Sequence, residues 1–144
     1  MRNEAELREQ QTLFDWAMLW ENAHPELKSM FHVTNEGKRS KQGGAALVRA
    51  GLKRGVPDIW LPVENENYNG LVIEMKADNN RVTADQKAWL LRMAANSWKA
   101  CSCWGFEAAA QVVAEYLNFN PGIFMRPVGK IVDYMADGSV AERK

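Results

Sequence analysis

Cysteine is scarce in this chain, with two among 144 residues. Cys101 and Cys103 stand two apart in a β-rich run, so they face the same way and cannot readily bridge each other. A disulfide scaffold is excluded, and a reducing cytoplasm is the expected compartment. Histidine is equally sparse. His24 and His32 have no finger-like spacing to the cysteines, which argues against structural zinc. Without a second catalytic histidine or an Asn-His pair, His32 reads as a packed strand residue rather than the base of a histidine-dependent nuclease. Long apolar runs are missing too, and no leader-like opening is seen, so no membrane partner is expected.

What is present fits one domain: 47% of residues are hydrophobic, enough for a core that folds alone. The formal charge is zero, but it is unevenly spread. Lys38, Arg39, Lys41, Arg49, Lys53 and Arg54 fall in a stretch without a single acid, and the remainder of the chain is correspondingly acidic. Such a stretch is either a solvated helix face or a surface for a phosphate backbone. The interruption by Gly43-Gly44 and Ala45-Ala46-Leu47-Val48 favours a loop followed by a helix, with Lys38, Arg39, Lys41, Lys53 and Arg54 as candidate nucleic-acid contacts.

The basic stretch leads into the segment on which the chain is organised. Pro57 can open a strand without removing an interior ladder bond, which puts Asp58 at the mouth of the apolar run Ile59 to Val63. Turn formers from Glu64 to Gly70 then separate that run from Leu71-Val-Ile-Glu-Met-Lys76, predicting a hairpin. Alternation places Glu74 and Lys76 on one side, about 7 Å apart at their Cα atoms, with Ile73 and Met75 on the other. If the hairpin register brings Asp58 beside Glu74, two hard oxygen ligands converge with a cation next to them, as a divalent metal acting on a phosphodiester requires. The bland alternative is a solvated strand face with an ordinary ion pair.

Pro57-Asp58 followed by Glu74-Met75-Lys76 resembles the PD-(D/E)XK nuclease signature, and Gly55-Val-Pro-Asp-Ile with Glu-Met-Lys is similar to its VRR-NUC branch. Weaker likeness covers most of the chain: an N-terminal Glu/Gln helix, the basic loop Asn35-Glu-Gly-Lys-Arg, Gln86 on a later helix, and a closing helix from Gly105 to Leu117. The resemblance implies an α/β, restriction-endonuclease-like fold with a mixed central sheet flanked by helices. It divides the chain into a nuclease domain over 1–118 and an extension of the same domain over 119–144. It also implies Mg²⁺, replaceable by Mn²⁺, held by Asp58, Glu74 and the Met75 carbonyl. Lys76 would orient or deprotonate water, and Glu6 and Gln86 would complete the catalytic set. Stand-alone members of that kind are phage-associated and act as homodimers on branched DNA. The expectation is therefore a Holliday-junction-resolvase-like endonuclease in the cytoplasm of a bacterial host. The alternatives are a flap- or end-directed nuclease, a non-catalytic nucleic-acid-binding module, and a plain interaction protein.

The remaining elements are read from periodicity. A helix from Asn3 or Glu4 to about Asn22 carries an apolar stripe of Leu7, Leu13, Phe14, Ala17, Met18 and Trp20. Measured round the helical wheel from Glu6, Ala17 lies about 20° and Gln10 about 40° to one side, and Leu13 about 20° to the other. Glu6 and Gln10 therefore point toward the core. Glu9, about 60° from Glu6 on the Leu13 side, borders the stripe and is a second candidate for the site, whereas Glu4, about 160° away, faces water. Met30 to Thr34 predicts a strand, Gln42 to Leu52 a helix over the sheet, Lys99 to Trp104 another strand and Phe106 to Leu117 another helix. Thr83 and Gln86 form a capping box, and Gln86 also points from the first turn toward the sheet, so it reads either as a cap or as part of the site. The tail from Phe119 could be a hairpin, an arm onto a partner subunit or unstructured chain.

Overall fold

In the computed structural model the described residues are 3–34 and 41–144, the side chains of Lys41 and Gln42 excepted. The candidate contacts Lys38 and Arg39, and the Lys41 side chain, lie outside them.

Asn3 caps the first helix, α1 (Glu4–Trp20), its side chain accepting the Ala5 N–H at 2.7 Å and the Glu6 N–H at 3.3 Å. The buried positions of α1 are Glu6, Gln10, Leu13, Trp16 and Ala17, so its inward face is centred on the Glu6 direction. Leu7 and Met18, placed in the stripe by sequence, are exposed. They lie about 100° and about 120° round from Glu6, beyond what the sheet can cover.

A 3-10 turn, Pro25–Ser29, leads to β1 (Phe31–His32), shorter than the expected strand because it meets the sheet only at its edge. His32 is exposed there, not packed. The helix α2 (Lys41–Arg49) does not lie over the sheet as expected. From Ala45 to Ala50 every residue is exposed, including Leu47 and Val48, since a Gly-Gly-Ala-Ala helix has little apolar surface to bury.

The strands β2 (Ile59–Leu61) and β3 (Leu71–Lys76) pair as the predicted antiparallel hairpin. A crossover through α3 (Ala84–Ala95) brings β4 (Lys99–Trp104) parallel to β3, and α4 (Phe106–Leu117) follows. The tail runs without strand or helix to Lys130 and ends in a hairpin. Its strands β5 (Ile131–Tyr134) and β6 (Val140–Glu142) extend the sheet antiparallel from β4, so the described strands lie in sequence order, β1 to β6.

Strand alternation gives the sheet two unlike faces. Ile59, Leu61, Leu71, Ile73, Met75, Cys101, Cys103 and Ile131 belong to the larger core, which includes the inward residues of α1 and α4. Burial pushes both thiols up, so they pack there as small neutral groups. Val72, Ala100 and Tyr134 turn the other way, toward Leu90 and Ala94 of α3. Glu74, Lys76 and Trp104 share that second face, at the C-terminal end of β3 and β4.

Candidate active site

The register sets Ile59 opposite Ile73, so Asp58, one residue before β2, faces Glu74 across the hairpin. Asp58 Oδ2 accepts the Met75 backbone N–H at 2.9 Å. Lys76 Nζ lies 3.8 Å from Glu74 Oε2, and both side chains are buried. This is no solvated strand face. Glu74 is 3% exposed, and its Oε1 has no hydrogen-bond partner among the described residues. Burial first, then the Asp58 carboxylate, pushes the Glu74 carboxyl up to about 10; Lys76 pulls the other way, and Glu6 adds to the rise.

Glu6 arrives over the end of the sheet from the first turn of α1. It is buried, and its Oε2 accepts Asn80 Nδ2 at 2.6 Å. Asn80 belongs to the loop after β3, which turns at Asp78 (φ 54°) and ties the Asn80 N–H to the Ala77 carbonyl at 3.1 Å. The Asn80 carbonyl in turn accepts the Trp104 indole N–H at 2.9 Å. Asn80 was not singled out from sequence; its one signal was its place directly after the Glu-X-Lys strand. Glu9, the second candidate, is occupied elsewhere. Its Oε1 accepts the Phe106 N–H at 2.9 Å at the start of α4 and pairs with Arg126, which also holds Glu107 at 2.7 Å. Glu4 is exposed, as the wheel placed it.

Gln86 forms the capping box with Thr83: its Oε1 accepts the Thr83 N–H at 2.9 Å, and its own N–H reaches Thr83 Oγ1 at 3.2 Å. Its backbone nonetheless packs against Gly55, three residues ahead of Asp58. Gly55 (φ 76°) is pressed so closely on the first turn of α3 that a Cβ there would stand 2.6 Å from the Asp85 carbonyl carbon and 2.7 Å from the Gln86 nitrogen. Lys53 and Arg54 are exposed and line a cleft with Trp89 and Arg92, whose guanidinium lies 4.8 Å over the Trp89 ring.

Oxygen ligands of this kind suit a hard divalent cation. Among the described residues no group of three or more His, Cys, Asp and Glu side chains is gathered for a metal ion. A cation here would rest on Asp58, Glu74, the Met75 carbonyl and water, a set that Mg²⁺ accepts because it usually keeps several waters. The partnerless Glu74 Oε1 fits that use.

A Pro-Asp strand mouth opposite a Glu-X-Lys strand, on a mixed sheet between helices, places the protein in the PD-(D/E)XK class of nuclease-type domains. Within that class the chain belongs to the VRR-NUC family, whose model, described as VRR-NUC domain, matches residues 2–112. A solved structure described as a VRR-NUC domain protein is similar in fold, with a TM-score of 0.68 at 22% identity over 83% of this chain and 93% of that one. No curated protein matches. No helix among the described residues is long and apolar enough to cross a membrane.

Proposed function

We propose that the protein is a Mg²⁺-dependent DNA endonuclease, with Mn²⁺ able to substitute, that acts as a homodimer on branched DNA such as a four-way junction. The observation that supports it best is the pairing of Asp58 and Glu74 across the β2–β3 hairpin, with the Lys76 ammonium 3.8 Å from Glu74. Bound there, the metal supplies neutralisation of the phosphodiester and a more acidic water. The chain's own groups do the rest. Asp58, Glu74 and the Met75 carbonyl would hold the cation, and Lys76 would orient the attacking water as an ammonium or, once it is a neutral amine, take its proton. Glu6, fixed by Asn80 on the first turn of α1, would complete the set around that water, and Gln86 would serve at the edge of the entrance through its remaining amide N–H groups.

The test is cleavage of duplex, nicked, flap and four-way DNA with manganese, comparing wild type with Asp58→Ala and Lys76→Ala. Both substitutions should abolish cleavage while leaving DNA binding largely intact, because they remove metal charge and water activation rather than backbone contacts. Near wild-type cleavage by Asp58→Ala would end the assignment. Preference for flaps or ends over junctions would select the alternative nuclease reading.

A further inference from the structure

The sheet order places the two flanks of the carboxylate pair on different elements. On the β2 side stand Lys53 and Arg54, already read as nucleic-acid contacts. On the β4–β5 side stands a group with no role so far. Trp104 closes β4 directly beside Lys76, and Lys130 precedes β5, its carbonyl accepting the Trp104 N–H at 2.9 Å. The Lys130 ammonium lies 4.0 Å over the Trp104 ring. Arg81, at the end of the loop that holds Glu6, lines the same cleft as Trp104 and Lys130. Arg8, one turn of helix past Ala5, lines the adjoining cleft, which Trp104 also borders.

This corner is held in place. The Trp104 indole donates to Asn80, and Gly129 lies so close to the Trp104 carbonyl that no side chain could stand at position 129. Its cations differ from those of the protein's structural ion pairs. Lys76, Lys99, Arg126 and Arg143 each have a carboxylate partner, whereas among the described residues no carboxylate lies within ion-pair distance of Arg8, Arg81 or Lys130. Unpaired cations around a rigid aromatic floor suit a phosphate backbone better than they suit stability. Neighbouring strands are about 4.8 Å apart, so β5 lies roughly 10 Å from β3. That is within the first few nucleotides of a strand crossing the site.

We propose that Lys130 over the Trp104 ring, Arg81 in the same cleft and Arg8 in the adjoining one form a phosphate-binding subsite that holds the nucleic-acid strand on the flank of the scissile bond opposite Lys53 and Arg54. The proposal rests on the nuclease reading for its position and its kinetic arm, but not for its binding test. Equilibrium binding to a fluorescent DNA four-way junction is measured across a salt series in an Asp58→Ala background, so no cleavage enters. Adding Arg81→Gln and Lys130→Gln together should weaken binding at least tenfold and reduce the slope of log K against log salt by about 2, one for each phosphate no longer neutralised. Charge-keeping Arg81→Lys with Lys130→Arg should retain most of the affinity, which separates lost charge from a disturbed fold. In the otherwise wild-type enzyme the Gln pair should raise KM tenfold or more and leave kcat within about twofold. Unchanged affinity and slope in the folded Gln pair would overturn the subsite, even if Asp58-dependent cleavage is found. Loss of cleavage with affinity unchanged would also overturn it, since the two residues would then act on the reaction rather than hold the strand.

Discussion

Glu4, Glu6 and Glu9 carry one functional group on nearby positions of α1, and their surroundings separate them completely. Glu6 is buried against Asn80 and contributes to the field at Glu74, Glu9 anchors the start of α4 and Arg126, and Glu4 is in water. Glu6→Gln should therefore lower the cleavage rate by about 10²-fold or more with little change in melting temperature. Glu9→Gln should show the reverse, a lower melting temperature with kcat nearly unchanged, and Glu4→Gln should be silent. Paired rate and melting measurements decide it, and a crippled Glu9→Gln enzyme of normal stability would move the site role to Glu9. Glu74 gives a different signature. Its carboxyl is raised above the usual range by burial and by Asp58, so the metal-free native state binds a proton that the unfolded chain releases above about 4.5. Stability contributed by that proton is fully present below the unfolded value and is lost as pH rises toward about 10. In chelator, Glu74→Gln should melt higher than wild type at neutral and alkaline pH, with the gap closing toward pH 4, while losing cleavage. A variant that melts lower than wild type throughout would show that Glu74 is stabilising without metal.

Among the elements, the tail hairpin is tied to the sheet by one buried acid. Asp133 on β5 accepts Arg143 Nε at 2.8 Å, Lys99 Nζ at 3.0 Å and the Cys101 thiol at 3.2 Å. Burial alone would raise its carboxyl, but the bonds from Arg143, Cys101 and Lys99 outweigh it and hold the group at about 2. A depressed carboxyl contributes stability above its unfolded value near 3.8 and loses it as pH falls toward 2. Asp133→Asn should cost about 3 kcal/mol at pH 7, as breaking a buried pair does, and flatten the acid limb of the denaturation profile between about pH 4 and 2. An unchanged acid limb would remove the latch. From sequence that hairpin was one of three alternatives for the tail, with nothing to choose between them. β6 is exposed at every position and so has no alternating pattern, and β5 is defined by its pairing with β4, some thirty residues away. β3, β4 and α4 were read to the residue because each carries its own period and its own stops. The site follows the same rule. The positions of Asp58, Glu74, Lys76 and Glu6 could be read from local alternation and one helical wheel, while the roles expected of them came from the resemblance. Asn80, Arg81 and Lys130 could not be placed so, because what makes them neighbours of the site is a loop turn at Asp78 and the order of the strands.

At the scale of the whole molecule, neutrality is the sum of a basic approach and an acidic remainder. The described part of that approach, Lys53 and Arg54, stands exposed just ahead of the strand that delivers Asp58, so positive charge lies beside the candidate site. Substituting both should weaken junction binding and flatten its salt dependence, without altering metal-dependent behaviour at the carboxylates. One chain carries one carboxylate pair, and resolving a junction means cutting two strands at related positions. On the proposed junction reading, two copies on a two-fold axis meet that requirement most simply, each offering its own β2 flank to the substrate. Sedimentation of the Asp58→Ala protein with a four-way junction should give two protomers per junction. A mixed dimer of wild type and Asp58→Ala should nick one strand and leave the opposite one intact. A single protomer bound per junction, with unpaired nicks from the wild type, would instead favour the flap- or end-directed nuclease, for which one site on one strand is sufficient.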